Sequence, residues 1–246
     1  MTDGRAPTAC VLIIGNEILS GKTQDVNLKF LAEELAKLGI KLVEARVVRD
    51  DEEAIAAHVN ECRAKFTYVF TTGGIGPTHD DITAQSVARA FGVDLVLDEE
   101  AVRRMRSSGR ELNEARLKMA RIPAGAALVD NPISLAPGFR MGNVYVLAGI
   151  PSIARAMFAS AVPELVRGAP IVWRSIDVPL REGDLAGPLE RIAEANPEVE
   201  IGSYPFNREG RFGATLVVRG TDESAVERVL SEVVAAMDAL EQRLRH

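Results

Sequence analysis

Several residue types are scarce in this sequence, and each scarcity excludes a class of protein. Only two cysteines, Cys10 and Cys62, occur among 246 residues, too few for a disulfide framework or a zinc cluster, so we expect a reducing, cytoplasmic compartment. No apolar run approaches the roughly 20 residues of a membrane span, and the acidic, barely apolar start does not make a signal peptide. The formal net charge of −6 lacks the positive excess that nonspecific nucleic-acid binding needs.

The remaining composition is that of an ordinary globular protein. Hydrophobic residues make up 47% and charged residues 26% of the chain, which is long enough for one large and one small domain. Along the larger part, predicted strands (9–14, 41–48, 67–72 and around 139–147) alternate with predicted helices (25–39, 52–66, near 81–91, 99–121 and one opening at Pro151). This alternation predicts an α/β fold in which a mostly parallel sheet lies between two helical layers.

The pattern changes near Gly168. The rest of the chain predicts a strand at 171–178, a helix near 182–195, strands at 200–206 and 212–220, and a final helix capped by Thr221 or Asp222. That order indicates a small α+β domain of βαββα type. We therefore predict a larger domain over residues 1–167 and a smaller one over residues 168–246.

The most informative motif is TTGGIGPTHDDIT, residues 71–83. It lies between a predicted strand and a predicted helix, where an open α/β sheet presents backbone N–H groups to a ligand. Its glycines lack Cβ and allow positive φ and a close approach of phosphate. Its two adjacent aspartates would repel phosphate unless Mg²⁺ or another divalent cation bridged the oxygens. We therefore assign metal binding to Asp80 and Asp81, and phosphate binding to Thr72, Gly73, Gly74, Gly76, Pro77 and Thr78.

The same motif also has a purely structural interpretation. Thr78 and Asp81 fit the Ser/Thr-x-x-Asp/Glu capping box, and Asp80 in the first turn would complement the helix dipole. The glycines would then only mark a turn. Spacing alone leaves both interpretations open, and the loop matches neither the GxGxxG fingerprint nor the Walker loop.

Further polar residues stand at the ends of other predicted elements. Asn16 and Glu17 follow the first strand, where they would contact ligand or metal, or simply finish a turn. Gly149 and Pro151 open the last helix of the larger domain, whose N–H groups would complete the ligand site. His79 has no partner at ligand spacing, so it does not by itself indicate a metal site.

Two other segments are interpreted structurally. Basic residues between 103 and 121 are interleaved with acidic ones, which favours a solvated helical face over an anion-binding patch. Ala136 to Phe139 fits a type II turn with Pro137 and Gly138 at its centre.

Four motifs in the same order carry a resemblance to one family. TTGGIGPTHDDIT, GNEIL at 15–19, NPISLAPGF at 131–139 and AGIPS at 148–152 resemble the MoaB/Mog molybdopterin-binding family. Within it, the chain is similar to the competence/damage-inducible protein A branch, whose relatives include the amino-terminal domain of eukaryotic FAD synthases. The resemblance implies a MoaB/Mog-like three-layer fold, molybdopterin or a nucleotide as ligand, and a homodimer or homotrimer.

The resemblance also implies roles for single residues. Asp50 corresponds to a family aspartate that faces the glycine loop, although its position also fits a cap for a helix beginning at Glu52. Asn27 matches a family asparagine and is otherwise a surface polar residue. Where bacterial relatives with the full architecture read LPGVPSEM, this chain reads LAGIPSIA, so Ala148 replaces a proline and Ile153 a glutamate. We expect a stand-alone form, without the amidohydrolase or adenylyltransferase domain of longer relatives.

Two enzyme chemistries follow from the resemblance: hydrolysis of a nucleotide pyrophosphate such as ADP-ribose or FAD, and adenylyl transfer onto molybdopterin in molybdenum cofactor biosynthesis. Both attack phosphorus and depend on positioning and on charge neutralisation by metal. We expect the hydrolase, with Asp81 binding metal or orienting the nucleophile and Asp50 assisting. The third alternative is a non-catalytic module that binds molybdopterin or a nucleotide, with which Ala148 and Ile153 are consistent. We expect a small phosphorylated ligand as partner, and neither nucleic acid nor a membrane.

Overall fold

The computed structural model describes residues 6–208 and 210–244, which form two compact units. The first unit contains the described residues up to 35 together with 40–168, and the second contains 36–39 together with those from 169 onwards. In the described ranges, no helix combines the length and the apolar character that crossing a bilayer requires.

The first unit is built on a mostly parallel sheet. Its strands are β1 (Thr8–Ile14), β2 (Lys41–Val48), β3 (Tyr68–Thr72), β4 (Leu95–Leu97), β5 (Arg121–Pro123), β6 (Ala127–Val129), β7 (Gly138–Met141) and β8 (Val144–Leu147). Six of them form one sheet in the order β2-β1-β3-β8-β7-β6, and β4 pairs with β5. β2, β1, β3 and β8 are parallel, whereas β7 and β6 add an antiparallel edge. The predicted α/β fold is confirmed.

Helices cover both faces of this sheet. They are α1 (Asn16–Leu19), α2 (Asn27–Lys37), α3 (Glu52–Lys65), α4 (Thr83–Phe91), α5 (Glu99–Ser107), α6 (Glu114–Lys118) and α7 (Pro151–Ala161). On one face, Leu12 of β1 shares a core cluster with Ile55 of α3. On the other, the Phe70 ring centroid lies 5.5 Å from that of Phe158 on α7, which lies 5.7 Å from that of Phe30 on α2. From Ala9 to Ile14, β1 is apolar and buried because it is covered on both faces.

The segment 99–121 is not the single helix that we predicted. α5 ends at Ser107, α6 is a separate short helix, and Arg121 already belongs to β5. Gly109 has a φ of 70°, the left-handed conformation in which glycine commonly ends a helix. The loop that follows carries Arg110 away from the face of α5, which is important for the site described below.

The predicted type II turn at 136–139 is also wrong. Gly138 is the first residue of β7 and lacks the positive φ that this turn type requires. A Cβ on Gly138 would lie 2.3 Å from the Val146 carbonyl oxygen. Glycine is therefore required here by the close approach of β7 and β8.

The two cysteines are core residues. Cys10 and Cys62 are free and fully buried, and the Cys10 thiol donates to Cys62 Sγ at 3.4 Å. Burial raises the pKa of the Cys10 thiol, so it stays protonated at neutral pH. Both side chains fill space between β1 and α3.

The second unit has the predicted βαββα order: β9 (Val172–Val178), α8 (Glu182–Ala195), β10 (Val199–Arg208), β11 (Arg211–Gly220) and α9 (Glu223–Leu244). β11 is central and antiparallel to both neighbours. Leu216 of β11 and Val229 of α9 belong to its core. Asp222 Oδ1 accepts from the Ser224 N–H at 2.9 Å, so Asp222 rather than Thr221 caps the last helix.

Candidate functional site

The glycine loop between β3 and α4 is held by the first residue of the helix. α4 begins at Thr83, two residues later than predicted. The Thr83 hydroxyl donates to the Gly73 carbonyl at 2.9 Å, and the Thr83 N–H donates to the Gly74 carbonyl at 3.0 Å. Gly73 and Gly74 have φ values of 101° and 67°, and a Cβ on Gly73 would lie 2.2 Å from the Ile14 carbonyl oxygen. The packing of the loop on β1 and α4 therefore requires these glycines.

The next stretch of the loop offers free hydrogen-bond donors. The N–H groups of Gly74, Ile75 and Gly76 donate to no other group in the described chain. All three residues line one large cleft. Successive free N–H groups in such a loop form a concavity that suits an anion. The loop therefore has the donors of a phosphate cradle.

Thr78 and Asp81 close a turn inside the loop and do not cap α4. Asp81 Oδ2 accepts from the Thr78 N–H at 2.8 Å and from the Thr78 hydroxyl. The N-cap residue of α4 is Ile82, which makes no side-chain bond. The capping-box interpretation is therefore wrong. Asp81 Oδ1 accepts no hydrogen bond within the described residues, and the Asp81 side chain lines the cleft.

Asp50 and Asn16 bind each other at the ends of β2 and β1. Asp50 Oδ2 accepts from the Asn16 N–H at 2.8 Å, and the Asp50 N–H donates to Asn16 Oδ1 at 3.4 Å. The cap of α3 is Asp51, whose Oδ1 accepts from the Ala54 N–H at 2.9 Å. The alternative that Asp50 caps this helix is therefore wrong. The Asp50–Asn16 pair instead fixes the start of α1, the short helix that carries Glu17.

A cleft of about 800 Å³ collects most of the predicted residues, and its volume is that of a small-molecule site. The predicted residues that line it are Glu17, Gly73, Gly74, Gly76, Pro77, Asp81, Gly149 and Pro151. Those that do not line it are Asn16, Asp50, Thr72, Thr78 and Asp80. The Asp80 side chain is 59% exposed and lies 4.0 Å from His79. Ala148 and Ile153, the two departures from the bacterial pattern, form part of its wall.

Two arginines of the basic segment line the cleft, which we did not predict. Arg110 and Arg116 are both among its lining residues, and neither guanidinium forms an ion pair in the part of the chain that the structure describes. By contrast, Arg103 and Arg104 on α5 both pair with Glu100. The solvated-face interpretation therefore fits α5, whereas Arg110 and Arg116 beyond it line the cleft.

The NPISLAP segment forms another wall, organised by Asn131. Asn131 Nδ2 donates to the Ala136 carbonyl at 2.8 Å and to Ser134 Oγ at 2.6 Å, while its Oδ1 accepts from the Ile133 N–H at 3.1 Å. Leu135 adopts a left-handed φ of 61° within this turn. Asn131, Ser134 and Ala136 all line the cleft. The family motif contained these residues, but we did not assign them to the site.

The donor set of the cleft fits an ion that is shared with a ligand. Among the described residues, no three His, Cys, Asp or Glu side chains cluster as a metal site. Mg²⁺, however, is usually held by one or two carboxylates together with waters and phosphate oxygens. Asp81, through its free Oδ1, and Glu17 are the carboxylates that line the cleft. They would hold such an ion only together with oxygens that a ligand supplies.

The fold and the cleft define an α/β protein with a ligand-sized site at the carboxyl ends of its parallel strands. The family model described as "Probable molybdopterin binding domain" matches residues 10–167, and the chain belongs to this family. The model described as "FAD synthase, middle domain" matches residues 170–242.

Individual relatives agree with this assignment. A protein of Aeropyrum pernix is 36% identical over 247 residues, which cover 94% of this chain and 91% of the relative. A Caenorhabditis elegans protein named "Probable FAD synthase" is 30% identical over 254 residues, covering 92% of this chain and 49% of the relative, so the chain spans about half its length. The structure of the protein CinA from Thermoplasma acidophilum matches with a TM-score of 0.61 and 33% identity, over 65% of this chain and 98% of that one. The predicted family is confirmed.

Proposed function

We propose that the cleft binds a nucleotide or pterin phosphate together with a divalent cation, and that the protein hydrolyses a nucleotide pyrophosphate of the ADP-ribose or FAD class. The observation that carries this proposal is the juxtaposition of three free N–H groups, on Gly74, Ile75 and Gly76, with the Asp81 carboxylate in one cleft. Membership of the molybdopterin-binding family and the match to an FAD synthase middle domain support a ligand of this class.

The charges of the cleft explain why a cation is needed. Glu17 and Asp81 are balanced by Arg110 and Arg116, so the cleft is formally neutral before a ligand enters. A pyrophosphate diester brings two further negative charges, which one divalent cation would balance. A ligand with one negative charge would be stabilised less by the same cation and side chains.

The residues can be given roles in the hydrolysis. A water oxygen bonds to one phosphorus, the bond from that phosphorus to the bridging oxygen breaks, and two monophosphates result. Asp81 Oδ1 would bind the cation or orient this water and take its proton, while Arg110 and Arg116 would bind phosphate oxygens. Asp50 would be a positioning residue, because it bonds the Asn16 N–H at the start of α1, the helix that carries Glu17. A bound divalent cation would supply charge neutralisation at phosphorus.

Coupled binding of nucleotide and metal is the first test. In calorimetric titrations, we expect ADP-ribose to bind ~5- to 150-fold more tightly with Mg²⁺ than with EDTA, the usual range for coupled sites. The coupling is reciprocal, so ADP-ribose should tighten Mg²⁺ binding by the same factor. Ribose 5-phosphate is the control, since it lacks the pyrophosphate. Equal affinity for ADP-ribose in Mg²⁺ and in EDTA would remove the cation from the proposal.

A further inference from the structure

A small cavity of about 30 Å³ shares the glycine loop with the cleft. Gly74, Ile75, Gly76 and Asp81 line both spaces, so the two adjoin at the loop. Lys118 of α6 lines the small cavity but not the cleft. Lys118 is therefore close to the loop without lining the space that a ligand would occupy.

Lys118 forms the hydrogen bond that ties the loop tip, residues 78–81, to another element. Its Nζ donates to the Thr78 carbonyl. The Asp81 N–H donates to the same carbonyl at 3.4 Å. Within the described chain, the residues of the loop tip otherwise form hydrogen bonds only with one another. Without Lys118, the loop tip would be held only by the chain on either side of it.

The hydrogen bonds run in series from Lys118 to the Asp81 carboxylate. Thr78 accepts from Lys118 through its carbonyl, and it donates to Asp81 Oδ2 through its N–H, at 2.8 Å, and through its hydroxyl. Because the two oxygens of a carboxylate are rigidly joined, fixing Oδ2 also sets the direction of Oδ1. Oδ1 is the oxygen that would bind the cation, and outer partners of this kind orient metal ligands in proteins.

The helix that carries Lys118 also carries a residue of the cleft. Arg116 lines the cleft, and its N–H donates to Oδ1 of Asn113, the N-cap residue of α6, at 3.0 Å. One short helix therefore positions both the Arg116 guanidinium and, through Lys118, the Asp81 carboxylate. The first of these groups would bind phosphate and the second would bind the cation.

We infer that Lys118 is a positioning residue for Asp81: from α6 it holds Thr78, and through Thr78 it presents Asp81 Oδ1 to the cation. The inference rests on the proposed function, because it needs a cation bound between Asp81 and the ligand. It assigns a role to a residue outside the cleft, and it separates two kinds of binding. Loss of Lys118 weakens the binding of the cation but not the metal-independent binding of the ligand.

Lys118→Met tests this role. Methionine keeps an apolar stem and helix propensity, and it removes the donor. When Mg²⁺ is titrated into protein saturated with ADP-ribose, the variant should bind Mg²⁺ ~10- to 100-fold more weakly than wild-type protein, the usual effect of losing an outer partner of a metal ligand. Its affinity for ADP-ribose in EDTA should be unchanged. The sign is informative, because removal of a positive charge would by itself strengthen the binding of a cation.

Arg121→Met is the matched control. Arg121 lines the same small cavity, but in the described chain it forms no hydrogen bond with the loop tip. The variant removes the same charge without breaking the bond to Thr78, so it should not weaken the binding of Mg²⁺.

Three results would contradict the account. If Lys118→Met binds Mg²⁺ as tightly as wild-type protein, or more tightly, Lys118 does not position Asp81 and this inference alone fails. If Lys118→Met weakens ADP-ribose binding in EDTA by the same factor, Lys118 acts on the ligand directly and the inference is likewise refuted. If wild-type protein saturated with ADP-ribose binds no Mg²⁺, the proposed function fails and this inference with it.

Discussion

Replacing Asp81 with asparagine is expected to make ADP-ribose affinity independent of Mg²⁺ and to lower the rate of pyrophosphate cleavage by ~100-fold or more, the scale on which a positioned acid or base contributes. Asparagine still presents an oxygen to the Thr78 N–H and hydroxyl, so the turn that holds the side chain is preserved. What is lost is the negative charge. Because Asp81 does not cap α4, we expect the free energy of unfolding to change by less than about 1 kcal/mol.

Asp80→Asn is the matched control for this variant. It removes the same charge from the adjacent residue, whose side chain is 59% exposed and does not line the cleft. Calorimetry should show that Asp80→Asn keeps the response to Mg²⁺ and that Asp81→Asn does not. Equal losses in both variants would show that the charge of the loop matters rather than the position of Asp81. If both variants keep the full response to Mg²⁺, Asp81 does not bind the cation.

The second large effect is expected from Arg110 and Arg116. Methionine at both positions keeps long apolar stems but removes both guanidiniums. Hydrogen bonds to charged groups contribute about 1.5–3 kcal/mol each, so the double variant should bind ADP-ribose at least ~100-fold more weakly. Its affinity should also depend less on ionic strength, because two charges near the phosphates are gone.

The control is the double variant Arg103→Met and Arg106→Met, which removes the same number of positive charges from outside the cleft. Both residues are exposed on α5 and neither lines the cleft. The ion pair of Arg103 with Glu100 lies at the surface, where such pairs contribute little to stability. Similar affinity losses in the two double variants would mean that overall charge, and not contact in the cleft, governs binding.

The glycine loop could be predicted from sequence because its geometry is local. A buried β-branched strand, glycines and a following amphipathic helix are contiguous, so the strand–loop–helix order is visible at residues 68–91. The sequence did not reveal that Asp81 would bond to Thr78 within the loop, because the capping box and this turn share the same spacing. Only the start of α4 at Thr83 separates the two.

Residues contributed from elsewhere in the chain were harder to predict. Arg110 was missed because we extended one helical period through Ser107, Ser108 and Gly109, although serine and glycine at a helix end are a stop signal. The hydrogen bond that Asn27 forms has no sequence signature at all: its Nδ2 donates to the Gly149 carbonyl at 2.8 Å, which depends on α2 and the Gly149 loop meeting in space. The position of Asp50 at the end of the second strand was predicted correctly, but its hydrogen bond from the Asn16 N–H was not predicted.

The most direct test of the proposed function is product analysis with the wild-type protein. ADP-ribose and FAD are incubated separately with Mg²⁺, Mn²⁺ or Co²⁺, and the nucleotides are separated by chromatography. In parallel, ATP is supplied together with molybdopterin, where release of pyrophosphate and an adenylylated pterin would favour the adenylyltransferase. We predict that at least one of the two compounds is split into two monophosphates, that EDTA stops the reaction, and that Asp81→Asn slows it by ~100-fold or more. Intact metal-dependent binding without any product would contradict the hydrolase and leave a non-catalytic binding module.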